Sequence, residues 1–404
     1  MHNAPVQSII AHKAINCEGK TMPSLSVNVD GLTLPNPFII ASGPPGTNAN
    51  VIGKAFDENW GAVICKTVSL DASKVVNVAP RYARMRAENT KEVIGWQNIE
   101  LISDRSFETW EDEFKQIKDK YPDRVLIASV MEECNKDAWT EVIQRSQDCG
   151  VDAFELNFSC PHGMPERKMG SAMGQDPELL EEVCSWVKSA TDLPVWAKMT
   201  PNITQIVDPA RAALRGGSTG VAAINTILSV MGVNLDTLRP EPTVEGYSVP
   251  GGYSCKAVRP IALRMVMELA QMMYGNELAE AEFPDRSISA IGGVESGEHA
   301  AQFILLGAST VQVCTGVMIH GYSLAGRMCD ELEAFMDKHG FSSIEDFRGH
   351  ALKYFTTHAD LVERQAQAKA AKKKMKEGMV TKDTAWEGDK FVEQSSKLVS
   401  NDDD

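Results

Sequence analysis

The sequence predicts an α/β fold of the TIM (β/α)8 barrel type, preceded by an N-terminal β-hairpin and followed by a C-terminal helical extension. Three observations carry this reading. Eight short β-branched runs recur, each followed by polar or glycine-rich residues and then by a longer stretch of helical periodicity. Unusual polar residues stand at the end of nearly every run. No G-x-G-x-x-G occurs anywhere, so the chain lacks the fingerprint that an open doubly wound sheet normally carries after an early strand.

In chain order, residues 1–24 are an extension. Leu25–Val29, Asp30-Gly31 and Leu32–Leu34 then read as a hairpin, because Asp-Gly supplies the positive φ angles of a tight turn. Its expected place is the barrel bottom. The eight expected strands are Phe38–Ala41, Ala62–Lys66, Val125–Val130, Ala153–Asn157, Val195–Met199, Gly220–Asn225, Ser287–Ile291 and Thr310–Val313. Together with the hairpin they make a barrel domain over residues 25–345. Residues 346–404 form a helical and charged tail, in which Lys372-Lys373-Lys374 reads as a solvated helix face or as a binding tail.

With 404 residues, 43% of them hydrophobic, the chain can fill one barrel of about 250 residues with terminal additions. A net charge of −15 and a pI near 5.1 offer no basic field for a polyphosphate backbone, so nucleic acid is not an expected partner and small molecules are. No apolar run approaches the roughly 18 residues that span a bilayer, and the first 30 residues lack a secretory signal, so no membrane is expected. The expected location is the cytoplasm, with the plastid as the alternative. Nine widely spaced cysteines form no C-x-x-C pair, which argues against a zinc ribbon or an iron–sulfur cluster held by this chain alone and fits thiols in a reducing compartment.

The polar strand ends are Ser42, Lys66-Thr67, Asn157, Lys198, Asn225-Thr226, Gly292-Gly293 and Cys314-Thr315. A barrel that needed only stability would not line one rim with amides and lysines, and barrel active sites lie at that rim. Gly292-Gly293 after strand seven and Cys314-Thr315 after strand eight fall where barrels bind phosphate through backbone N–H groups.

The most specific segment runs from Asn157 to Met164 and contains Ser159-Cys160-Pro161-His162. With it, and with Gly95–Ser103, Gly174-Gln175-Asp176-Pro177, Ala197–Asn202, Asn225-Thr226 and Met231-Gly232, the chain resembles the dihydroorotate dehydrogenase superfamily over roughly residues 25–345. Within that group it is most similar to the flavin domain of the dihydropyrimidine dehydrogenase branch. The resemblance implies FMN as cofactor, held by Ser42, Lys66, Thr67, Asn157, Lys198, Gly292, Gly293, Cys314 and Thr315. Lys198 would stabilise negative charge on the reduced flavin, and Lys66 would line the flavin and substrate face.

The resemblance further implies that Cys160 is the acid/base residue. A thiol, with an ordinary pKa of about 8.5, is mostly protonated near neutral pH and can give a proton to a developing carbanion. His162 tunes that thiol, contacts a substrate carbonyl or caps the backbone. Asn98, Glu100, Asn157, Ser159, Asn225 and Thr226 form the implied pyrimidine clamp, since amides offer donors and acceptors in one plane. A carboxylate at Glu100 accepts a ring N–H from uracil, whereas orotate would bring its own carboxylate to a like charge. No extra basic residue for orotate stands in the quoted segments. The implied reaction is reduction of uracil or thymine to the 5,6-dihydropyrimidine, with hydride passing from N5 of FMN to C6 and a proton from Cys160 to C5. The alternative is dihydroorotate dehydrogenation. NADPH is the implied electron donor, acting directly or through a separate reductase subunit, and the implied assembly is a homodimer. One departure is Cys255, where the family usually has glycine. A side chain there costs energy unless φ is negative, and no phosphate contact is assigned to that loop.

Overall fold

The computed structural model describes residues 23–72, 75–160, 169–276 and 279–374. Eight parallel strands close into a barrel in sequence order. They are β1 (Phe38–Ile40), β2 (Ala62–Ile64), β3 (Val125–Val130), β4 (Ala153–Asn157), β5 (Val195–Lys198), β6 (Gly220–Ala223), β7 (Ser287–Ile291) and β8 (Thr310–Val313). All eight were expected from the sequence. β1, β2, β5 and β6 end one or two residues early, so that Ser42, Lys66, Thr67, Asn225 and Thr226 stand on the loops of the C-terminal rim. A strand such as β3, which reads VLIASV and is buried at every position, folds here because both of its faces are covered.

Helices follow the strands around the outside. Five of them start on a side-chain cap, where Asn48, Ser106, Asn135, Asp176 and Ser296 accept from backbone N–H groups of the first turn. The cap fixes where each loop ends, and therefore how far the strand end before it can move. The core lies between barrel and helices, with Trp60, Trp110, Trp139 and Trp196 among its largest fully buried side chains.

Val27–Val29 and Leu32–Leu34 pair antiparallel around Asp30 and Gly31, at φ 50° and 88°. The Asp30 carboxylate accepts from the Trp196 indole N–H on β5 and from the Ser287 hydroxyl on β7. Both partners lie at the N-terminal ends of their strands, so the hairpin tip is fastened to the barrel bottom.

Above the opposite rim lies a sheet that the sequence did not predict. Ile227–Ser229, Gly251–Ser254, Val93–Asn98 and Tyr82–Arg86 form four antiparallel strands in that order, built from the loops after β2 and β6. Gly95 allows the strands to close up, since a Cβ there would lie 2.0 Å from the Tyr253 hydroxyl oxygen. Gly232–Asn234 and Arg239–Glu241 add a second, two-stranded ribbon.

Among the described residues, those up to Lys353 form one compact unit and those from Tyr354 onward another. The second unit contains the helix His358–Lys374, which includes the expected lysine run at its end.

Candidate active site

A cleft of about 1160 Å³, counted to its open mouth, sits at the C-terminal end of the barrel. Its walls include Ser42, Lys66, Thr67, Asn98, Glu100, Asn157, Cys160, Lys198, Asn225, Thr226, Gly292, Gly293, Cys314 and Thr315. Fourteen expected residues, drawn from seven strand ends and the overlying sheet, therefore meet in one place. Ser159 does not line the cleft: it is fully buried beneath Asn157 and Asn225. His162 lies outside the described residues.

The floor is ionic. Lys198 Nζ, at the end of β5, lies 3.1 Å from Glu155 Oε1 on β4 and 2.9 Å from Gln312 Oε1 on β8. Gln312 Nε2 donates to the other oxygen of Glu155 at 2.8 Å and to Ser289 Oγ at 3.0 Å. Lys198 is 4% exposed and Glu155 1%, so each charge depends on the other for its solvation. Neither Glu155 nor Gln312 was among the expected site residues. The signal was present, however: Glu155 and Asn157 are two apart on one strand and share a face, and a carboxylate in a buried strand needs a cation.

Above the floor, side chains from five strands form one hydrogen-bonded relay. Ser42 Oγ lies 3.0 Å from Thr67 Oγ1, and Thr67 Oγ1 is 2.8 Å from Ser129 Oγ. Asn157 Nδ2 donates to Thr67 Oγ1 at 3.0 Å. The Ser159 hydroxyl donates to Asn157 Oδ1 at 3.1 Å, and Asn225 Nδ2 donates to Ser159 Oγ at 2.8 Å. Asn225 Oδ1 finally accepts the Thr226 N–H at 2.8 Å. The relay fixes which end of each amide is donor and which acceptor, so the face presented to a ligand is preset.

One wall carries charge. Lys66 Nζ is 2.8 Å from Glu100 Oε2, and Arg81 Nε is 3.5 Å from Glu100 Oε1. Burial, followed by the nearby Glu100 charge, pushes the Tyr82 phenol well above its ordinary range. Arg81 is a basic residue that the quoted sequence segments did not contain and that the fold brings in. Its charge and that of Lys66 counter Glu100, so the glutamate repels an incoming carboxylate less than a lone one would. What Glu100 chiefly offers is a positioned acceptor.

Cys160 is 7% exposed and packs with Ile102, Met131 and Met169 in a small apolar cluster at the cleft. Its apolar neighbours restrict water around the sulfur. Cys314, partly open to the cleft, is pushed up to about 11, by burial first, against the opposing pull of Lys66.

The rim after β7 and β8 is shaped for close approach. Gly292 and Gly293 have φ of 147° and 70°, and a Cβ on Gly293 would meet the Cys255 carbonyl oxygen at 2.7 Å. Trp96, in the cleft wall, carries a buried indole N–H with no partner among the described residues, a donor that a ligand acceptor would satisfy. These features fit a flavin mononucleotide. Glu295, also buried in this wall, was not foreseen. Burial alone would raise its pKa, but His320 at 3.1 Å and Lys256 at 3.3 Å hold it below the usual carboxylate range.

Cys255 has φ 82° and ψ −173°, a region that is essentially reserved for glycine. The condition set by the sequence for an energetic cost is therefore met. Cys255→Gly is expected to raise stability by roughly 1 kcal/mol once the entropy of the added glycine is deducted. A urea midpoint equal to or below that of the parent protein would show that the backbone is not strained there.

The family model for dihydroorotate dehydrogenase matches residues 24–336. The chain belongs to the dihydroorotate dehydrogenase family. It is thus an oxidoreductase by family, and three relatives place it within that group. It is 61% identical, over 391 residues covering 96% of this chain and 90% of the relative, to the chloroplastic dihydropyrimidine dehydrogenase (NADP(+)) of Arabidopsis thaliana. It is 40% identical, over 83% of this chain and 79% of the relative, to the NAD-dependent dihydropyrimidine dehydrogenase subunit PreA of Escherichia coli (strain K12). A dihydroorotate dehydrogenase B (NAD(+)) catalytic subunit of Methanothermobacter thermautotrophicus is 33% identical over 81% of this chain and 98% of the relative.

Proposed function

We propose that this member of the dihydroorotate dehydrogenase family reduces uracil and thymine to their 5,6-dihydro forms, with NADPH as the source of electrons. The observation that carries the reading is that Cys160, Glu100, Asn98 and the preset amides of Asn157 and Asn225 line one cleft whose floor is Lys198. The 61% identity to a dihydropyrimidine dehydrogenase supports the substrate class.

Ser42, Lys66, Thr67, Asn157, Lys198, Gly292, Gly293, Cys314 and Thr315 would hold FMN, which when bound supplies hydride to C6 of the pyrimidine. The remaining steps belong to the chain. Asn98, Asn157, Asn225 and Thr226 meet the alternating carbonyl and N–H groups of the ring edge and hold it flat. Glu100 accepts a ring N–H. Cys160 gives its proton to C5 as charge builds there, and solvent later returns a proton to the sulfur. Lys198 places a fixed positive charge beneath the site without leaving Glu155. His162 remains a proposed second contact near the thiol.

NADPH as the donor is supported by the NADP(+) in the name of the Arabidopsis relative, and direct reduction is the route to test first. Bleaching of the flavin on anaerobic mixing with NADPH is the expected result, and no bleaching without a second protein would assign delivery to a reductase subunit. Arg81 beside Glu100 favours one second reading, turnover of the carboxylate-bearing dihydroorotate. Glu100→Gln separates the two, because it keeps the shape and removes the charge. Uracil reduction is expected to fall by roughly tenfold to a hundredfold, the size of one charge-assisted hydrogen bond lost from a buried site. A faster dihydroorotate rate than uracil rate in the parent protein would decide for the second reading. Homodimer formation and a plastid location, the latter supported by the word chloroplastic in the relative's name, complete the proposal.

A further inference from the structure

A second groove, of about 1220 Å³ counted to its open mouth, lies beside the active-site cleft and shares Tyr82 with it as a common wall. It runs between the strand Tyr82–Arg86 and the ribbon formed by Gly232–Asn234 and Arg239–Glu241. Three guanidinium groups line it, those of Arg84, Arg86 and Arg239. Among the described residues none of the three stands in an ion pair, although Arg86 donates to the Lys91 carbonyl and Arg239 Nη1 to the Gly246 carbonyl at 3.0 Å; Arg145 and Arg211 on the helices, by contrast, are each matched by carboxylates. Glu241, the carboxylate lining the groove, accepts instead from Asn234 Nδ2 at 3.3 Å. A chain with a net charge of −15 thus places three arginines without carboxylate partners along a groove that adjoins its active site.

We infer that this groove binds the phosphorylated adenosine end of NADPH, with Arg84, Arg86 and Arg239 on the 2′-phosphate. The inference rests on the proposed reading of NADPH as electron donor and adds where it docks. Guanidinium groups recognise phosphate oxygens in bidentate fashion, and a dianion at that position distinguishes NADPH from NADH. Thr237 lies in the same wall with its hydroxyl, as a ribose or adenine requires, while the Thr243 hydroxyl already donates to the Pro240 carbonyl and can only accept. The Arg84 guanidinium already lies over the Trp96 ring, 5.6 Å from its centroid, and Trp96 lines the cleft. The arginine cluster and the catalytic cleft are therefore separated by a single aromatic ridge of Tyr82 and Trp96, whose ring centroids are 6.1 Å apart. A dinucleotide crossing that ridge reaches both. A groove walled on both sides by strand ribbons fits a nucleotide better than it fits a broad protein face.

The experiment uses the full-length flavoprotein and 2′,5′-ADP as the probe. The parent protein is expected to bind 2′,5′-ADP in a calorimetric titration and to bind 5′-AMP at least tenfold more weakly. The double variant R84A/R239A is expected to lose at least tenfold in 2′,5′-ADP affinity and to raise the KM for NADPH to match. R84K/R239K should recover part of that loss, because charge is kept and the bidentate fork is not. Uracil reduction by dithionite-reduced protein should be the same in all of these. Equal binding of 2′,5′-ADP by the parent protein and R84A/R239A, or no binding by either, overturns the inference. If electron delivery from a protein reductase then depends on the arginines, the groove is a protein-docking face. Failure of dithionite-reduced protein to turn over uracil would instead count against the proposed reaction and leave the nucleotide result standing.

Discussion

Cys160→Ala lowers the rate of uracil reduction by roughly 10²- to 10⁴-fold, the usual contribution of a positioned general acid. Flavin absorbance and the rate of flavin reduction by NADPH stay near those of the parent protein, because Cys160 packs against Ile102, Met131 and Met169 and not against the ionic floor. Cys160→Ser is the sharper control: it keeps a donor of similar size, but a hydroxyl is a far weaker acid than a thiol. Its rate should lie much nearer to that of the alanine variant than to that of cysteine. Stopped-flow oxidation of the reduced protein by uracil measures all three, and an alanine variant within about threefold of the parent would remove Cys160 from the acid role.

Lys198→Met is expected to destabilise the protein by roughly 3–5 kcal/mol, as well as to slow catalysis. The cost comes from what is left behind. Glu155 is 1% exposed and would keep only the Gln312 amide against its charge. Lys198→Met combined with Glu155→Gln removes the orphaned carboxylate and should restore most of the urea midpoint while leaving the turnover defect in place. The two measurements therefore separate the structural role of the lysine from its electrostatic one. A single variant with an unchanged midpoint would mean that the pair is not the support of the barrel interior that its burial implies.

The eight barrel strands were legible because they are short, mostly apolar runs, several of them β-branched, bounded by glycine or polar residues, and local pattern is enough to mark such runs. The rim residues were legible for a related reason, since an amide or lysine at the end of an apolar strand is locally conspicuous. Ser159 shows the limit of that approach. The resemblance placed it in the pyrimidine clamp, but the chain turns it beneath the amides, where it orients Asn157 and Asn225. The overlying sheet joins a local hairpin, Tyr82–Arg86 with Val93–Asn98, to distant segments, and for pairings such as Gln97 with Tyr253 nothing local to either names the partner. Arg81 was missed with it, since its approach to Glu100 depends on that sheet. Cys255 was legible as a departure, yet only the backbone angle could decide its cost.

The hairpin tip has a consequence in time. Asp30 is held by Ser287, a residue 257 positions further along the chain. At synthesis rates of 5–20 residues per second, the earliest part of the barrel waits on the order of 10–50 s for the strand that fastens it. During that interval Val27, Val29 and Leu34, all buried in the finished protein, have no floor to cover. The nascent chain therefore carries a greasy, strand-forming N-terminal segment through most of its emergence, and its safe assembly depends as much on what shields that segment in the cell as on the stability of the finished barrel.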